Sequence, residues 1–137
     1  MTPGAEGAMI VAMASDLVIR VDNEPGALAR VTAAVSDAGV NLAAATCTRP
    51  GETADLHILV DHPEAAKHAL AISGLTVTAE REVVVVEADD RPGSLADLAS
   101  KVAKAGVNLD LLYVATNTRI VFGSPDLDAL KAALGQV

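Results

Sequence analysis

Tryptophan is absent from this chain of 137 residues, and phenylalanine and tyrosine occur once each. Any core must therefore be aliphatic, packed from closely spaced Ala, Val and Leu. Cysteine is equally scarce. Cys47 stands alone, so no disulfide can form within the chain and no cysteine pair can hold a metal. A cytoplasmic home fits that usage. Basic residues are few, ten against eighteen acidic ones, for a formal charge of −8. Nucleic acid and anionic membranes need basic surface, so neither is an expected partner. No apolar run approaches the roughly 20 residues of a membrane span. The run from Met9 to Ala14 has no basic residue ahead of it and is short for a signal segment. Residues 1–14 are expected to form a flexible leader, with Met13 an alternative start.

What the chain does contain is a repeat. The stretch from Asp22 to Ala43 returns, about half identical, from Asp89 to Asp110. Pro25 recurs as Pro92 and Asn41 as Asn108, a constant offset of 67 residues. A repeat of this length is a duplicated small domain; solenoid units are shorter and more numerous.

Each copy reads the same way. Leu17, Ile19 and Val21 alternate with Val18 and Arg20, as a strand with one buried face does. Val84, Val86 and Ala88 are the equivalents in the second copy. Pro-Gly then breaks the strand. Leu28, Val31 and Val35, and again Leu95, Leu98 and Val102, follow at helical spacing. Gly39 and Gly106 close those helices. Second strands are expected over residues 41–48 and 108–115, and third strands over 56–60 and 119–122. The second helices open at Asp61-His62-Pro63 and Ser124-Pro125-Asp126, with the prolines in the first turn and Ser124 as N-cap. A fourth strand is expected from Thr76 to Ala79 in the first copy. The second copy ends with its fourth strand short or missing, leaving a sheet edge that another chain can pair with. The fold class is α+β: strand–helix–strand–strand–helix–strand, twice, as antiparallel sheets with helices on one face. The domains are 1–14, 15–81 and 82–137.

This order hosts many functions, so residues must discriminate. RNA-binding versions stack bases on aromatic residues of the central strands, and those strands here have none. His57, His62 and His68 form no matching set and are expected at the surface. Cys47 is expected to pack as a small apolar strand residue. No Ser-His-Asp or Cys-His pattern occurs and nothing singles out a carboxylate pair, so neither catalysis nor a cofactor or metal is expected. The turn is the distinctive feature. Pro25 fixes its own φ and extends Glu24, and Gly26 lets a ligand approach its backbone. Helix N–H groups follow and suit a carboxylate. Asn41 offers a donor and an acceptor, but a helix of about 13 residues (about 20 Å) separates it from Gly26. Turn and Asn from different repeats or different chains would have to meet.

The pattern Asp22-x-x-Pro25-Gly26-x-Leu28, an amphipathic helix, then Gly39-Val40-Asn41-Leu42 resembles the ACT domain family, small amino-acid-sensing regulatory domains. It recurs as Asp89-x-x-Pro92-Gly93-x-Leu95 and Gly106-Val107-Asn108-Leu109. The whole resembles stand-alone tandem ACT proteins, which implies two ferredoxin-like βαββαβ units. It also implies a non-catalytic regulator binding a small amino acid at ACT–ACT interfaces; the open sheet edge of the second copy adds the expectation of a homodimer. The alternatives are a regulatory subunit docking on a metabolic enzyme and a structural oligomerisation module with decayed sites. By resemblance the ligand residues are Asn23, Glu24, Pro25, Gly26, Ala27, Leu28 and Asn41, with Asp90, Arg91, Pro92, Gly93, Ser94, Leu95 and Asn108. Serine-binding members often carry a His before the turn, where this chain has Val21 and Ala88. Asn23-Glu24 becomes Asp90-Arg91 in the second copy, so the two sites are expected to be unequal.

Overall fold

The computed structural model describes residues 9–22, 24–48 and 51–135. Strand β1 (Met9–Asp22) leads into helix α1 (Ala27–Asp37), strands β2 (Leu42–Thr48) and β3 (Thr53–Val60), helix α2 (Pro63–Ile72) and strand β4 (Val77–Glu87). Helix α3 (Ser94–Lys104), strands β5 (Leu111–Ala115) and β6 (Arg119–Gly123) and helix α4 (Leu127–Ala133) follow. The result is a mixed α/β protein whose β1–β3, β2–β3, β4–β6 and β5–β6 pairs are all antiparallel.

The chain divides into two compact units. The first is Ala14–Arg81, and the second is Glu82–Val137 with the described part of the segment Met1–Met13. The division cuts through β1 and β4. Within the first unit the strands run in the order β2-β3-β1-β4, and within the second β1-β4-β6-β5.

Each unit has its own aliphatic core. In the first, Leu17, Ile19, Leu56, Ile58 and Val60 of the sheet pack with Val31 and Val35 of α1 and Ala66 and Leu70 of α2. In the second, Val84, Val86, Ile120 and Phe122 pack with Leu98, Val102 and Leu130. Met13 packs against this second core. The 2-residue period of the strands and the 3–4-residue period of the helices put these residues on facing surfaces. Each buried aliphatic side chain contributes about 1.5–3 kcal/mol, so a core without Trp is sufficient.

The helix ends follow local chemistry. Gly39 and Gly106 have φ of 76° and 74°. Behind them Val40 N donates to Val35 O and Val107 N to Val102 O, the bonds of a helix closed by a left-handed residue. Pro63 opens α2, where its missing N–H costs nothing.

The structure corrects several expectations. Residues 9–14 are strand, continuous with the rest of β1, and residues 1–8 of the expected leader lie outside the described residues. The strands expected at Thr76–Ala79 and around Val84 are one element, β4, because no turn residue interrupts Val77–Glu87. Strand β5 begins at Leu111, three residues later than expected. The N-cap of α4 is Asp126, whose carboxylate accepts from Ala129 N at 3.1 Å. Ser124 instead accepts from Asp126 N at 3.3 Å, and Pro125 precedes the helix. Cys47 is exposed, since β2 ends the strand order of the first unit. His57 is half-buried, its Nδ1 2.9 Å from Oδ2 of Asp16, a side chain with no exposed surface.

Candidate functional site

Both Pro-Gly turns fold alike. Gly26 and Gly93 have φ of 86° and 89°, a left-handed conformation that disfavours any side chain. Glu24 N donates to Asp22 O and Ala27 N to Glu24 O. Arg91 N donates to Asp89 O and Ser94 N to Arg91 O in the same pattern. Arg30 N then reaches Gly26 O, and Asp97 N reaches Gly93 O. Identical backbone at a 67-residue offset means the duplicated sequence specifies a duplicated shape.

The side chains around the turns differ. Beside the first turn lies a cleft of about 190 Å³, lined by Arg20, Val21, Asp22, Glu24, Ala27, Arg30 and the Gly74-Leu75-Thr76 loop. Arg20 is held across β1–β3 by Asp55, Nε to Oδ1 at 2.9 Å and Nη2 to Oδ2 at 3.4 Å. The hydrogen bond from Arg20, with its charge, holds the Asp55 carboxyl below its usual range and raises the Arg20 guanidinium. Among the described residues Glu24 and Arg30 have no ion-pair partner.

At the second turn the charges pair with each other. Arg91 Nη2 lies 3.0 Å from Asp97 Oδ2, Nη1 donates to Pro92 O at 3.2 Å, and Nε is 3.9 Å from Asp89 Oδ2. A Cβ placed on Gly93 would sit 3.7 Å from Arg91 Nη1. The guanidinium is thus folded back over its own turn.

The sequence-derived residues fall into separate places. Glu24 and Ala27 line the first cleft, while Pro25, Gly26 and the half-exposed Leu28 form the turn beside it. Ala27 is buried, so it can offer little more than its backbone. Asn23 lies outside the described residues. Asn41 is exposed at the far end of α1, an 11-residue helix about 16 Å long. The sheet register agrees: Asp22 pairs with Thr53 at one end of β3, and Leu42 with Val60 at the other. Within the first unit, turn and Asn41 are not brought together.

In the second unit Asp90, Pro92 and Gly93 are exposed, Ser94 is buried and Leu95 packs against the core. Asn108 lines a separate groove of about 270 Å³ with Gly106, Ser124 and Asp126. Arg20, Arg30 and the Gly74-Leu75-Thr76 loop were not anticipated. The sequence carried one signal for the arginines: Arg20, Glu24 and Arg30 correspond, 67 residues on, to Glu87, Arg91 and Asp97. All three charges are reversed.

An antiparallel sheet carrying amphipathic helices, with a Pro-Gly turn between first strand and first helix, defines a class of small α/β domain. Residues 15–73, within the first unit, match the family model for the ACT domain. No curated protein sequence matches the chain at a significant level. Solved structures do. Protein BT0572 from Bacteroides thetaiotaomicron is similar at a TM-score of 0.80 and 26% identity, over 89% of this chain and 86% of that one. The ligand-free regulatory subunit of aspartate kinase from Thermus thermophilus is similar at 0.68 and 21%, over 95% of each chain. That of Thermus flavus is similar at 0.65 and 22%, again over 95% of each. The two aspartate kinase subunits share the fold.

Proposed function

We propose that the protein is a non-catalytic regulator that senses a small amino acid at its Pro-Gly turns. The observation that carries this reading is the turn of the ACT domain itself. Its left-handed Gly26 leaves the backbone open beside a polar cleft. The second unit is read as a further ACT domain, with residues 9–13 serving as its fourth strand beside β4. Both units are then ferredoxin-like βαββαβ folds. The ligand residues are those named from sequence, with Asn41 contributed by a second copy, since a single unit holds it away from the turn. A homodimer, a cytoplasmic location and the absence of nucleic-acid or membrane partners belong to the same reading. In the described residues no helix is long and apolar enough to cross a membrane.

A second reading is a separate subunit that docks on a metabolic enzyme. Ile72 favours it: this side chain is 73% exposed at the end of α2, beside a groove lined by Ala34, Ala65, His68 and Ala69. A large apolar side chain in that position is an interaction feature when it joins a wider apolar surface.

Thermal denaturation in the presence of each of the twenty amino acids tests the sensor. A ligand that binds only the folded state raises the melting temperature with its concentration. A flat response to all twenty would leave the structural-module reading in its place.

A further inference from the structure

The helices of the two units present different outer faces. Helix α3 carries the exposed Lys101 and Lys104 where α1, 67 residues earlier, has Ala34 and Asp37. In the first unit this face is apolar. A groove of about 490 Å³ runs between α1 and α2, with Ala34 and Ala38 on one wall and Ala65 and Ala69 on the other. Ile72 stands at its end. At 73% it is the most exposed large apolar side chain of the described residues.

We propose that two copies of the chain meet through this face, each laying its α2 in the α1–α2 groove of the other about a two-fold axis. The inference is independent of amino-acid sensing. It gives to a second copy the face that the second reading above gives to an enzyme. Ala65, His68, Ala69 and Ile72 stand at i, i+3, i+4 and i+7, on one stripe of α2. An antiparallel α2 pair centred between His68 and Ala69 sets Ile72 over the partner's Ala65, and the partner's Ile72 over Ala65. Projection and hollow lie on the same surface, which is what a contact repeated by a two-fold axis requires. The antiparallel arrangement also opposes the two helix dipoles.

The polar groups complement one another in the same way. Asp37 and His68 both line the groove, and among the described residues neither has an ion-pair partner. With α2 seated beside the partner's α1, the imidazole of His68 can donate a ring N–H to the partner's Asp37, and the reverse contact forms across the axis. The second unit has no such match. Lys101 and Lys104 keep its face charged and solvated, so the pairing is confined to the first unit and closes at two. This contact is separate from any pairing through a strand edge.

The test is sedimentation equilibrium of the full chain from about 10 μM to 1 mM. The contact is small, of the transient class below about 1,200 Å². The average mass should therefore rise through this range, to about twice its low-concentration value. Ile72→Lys should weaken this step at least about tenfold, the scale of one large apolar side chain withdrawn from a contact. Ala34→Lys, which copies the residue of α3, should do the same. Far-UV dichroism should stay unchanged in both. Val114→Lys, on the strand edge, should leave the rise in place. In a Cys47→Ser background, Ala65→Cys with Ile72→Cys should give a covalent pair of chains under mild oxidation. The two positions are about 10 Å apart on one helix, too far to bridge within a chain. A mass that does not rise overturns the pairing and leaves the face to the enzyme of the second reading. A rise that survives both lysine variants also overturns it. A rise without the covalent pair overturns the antiparallel register.

Discussion

His57 Nδ1 lies 2.9 Å from Oδ2 of Asp16, joining a half-buried imidazole on β3 to a carboxylate on β1 that solvent does not reach. The two are diagonal neighbours across the strand pair, since Asp16 stands opposite Leu59 and Val18 opposite His57. They lie on the sheet face away from the aliphatic core. A buried carboxylate that loses one of its hydrogen-bond partners keeps its desolvation cost with less to offset it. His57→Ala is expected to destabilise the first unit by about 1–3 kcal/mol. Urea denaturation followed by far-UV dichroism measures this; a loss below a few tenths would mean that the pair is incidental.

Gly26 gives a cleaner separation of shape from space. No atom lies within 4 Å of a Cβ built on it, so a substitution meets only the backbone penalty of φ at 86°. Gly26→Val should cost about 1–2 kcal/mol by that route. It should also remove the amino-acid-dependent rise in melting temperature while the far-UV spectrum is retained. An undiminished response would place the site elsewhere. Asn41→Ala, by contrast, lowers the response only if a second copy brings Asn41 to the turn.

Arg20 and Asp55 stand directly opposite each other in the β1–β3 register. The Arg20 hydrogen bond and charge hold the Asp55 carboxyl below its ordinary value of 3.8. A folded carboxyl titrating below its unfolded value stabilises the fold above the unfolded value. That contribution disappears as pH falls through the folded value. Arg20→Ala should therefore raise the Asp55 titration toward the ordinary carboxylate range. The stability difference between variant and parent should shrink toward zero in strong acid. Carbon-detected NMR of the Asp55 carboxyl follows the first, and acid denaturation follows the second. An unchanged Asp55 titration would contradict the pairing.

Met13 packs against the core of the second unit, although it precedes the first unit in sequence. Deleting residues 1–13 should therefore loosen Glu82–Val137 more than Ala14–Arg81. Hydrogen exchange read by mass spectrometry should show faster exchange in β4 and β6 beyond Glu82, with β3 little changed. Equal loss in both units, or none, would deny the N-terminal residues their place in the second unit.

Strand β5 ends the strand order of the second unit, and Leu112 and Val114 on it are 44% and 62% exposed. They stand opposite Phe122 and Ile120, on the face that carries the core. Apolar edge strands pair readily with other chains. Light scattering is expected to give a dimer at micromolar concentration, and Val114→Lys should lower the mass toward one chain. A parent protein that is already monomeric would remove the dimer from the proposed function.

Much of this was legible in the chain because the signals are local. Alternation at Leu17, Ile19 and Val21 marks a strand whatever it pairs with. Gly39 and Gly106 end helices because their own φ is positive, and Pro-Gly turns the chain wherever it stands. The repeat made each of these readings twice. The unlike charges at the two turns were visible as Asn23-Glu24 against Asp90-Arg91.

The tertiary structure decided what depends on neighbours distant in sequence. Residues 9–13 resemble a leader until a sheet accepts them, because a strand has no internal hydrogen bonds of its own. Cys47 alternates like a core residue, yet it is exposed because β2 ends its strand order and little covers it. Asp16 and His57 are 41 residues apart, and only the β1–β3 register brings them together. Arg30 reads as one more charge on the outer face of a helix. Only the Gly74-Leu75-Thr76 loop, folded back beside the turn, makes it the wall of a cleft. The chemistry of each residue was written locally; which residues become neighbours was settled by strand order and register.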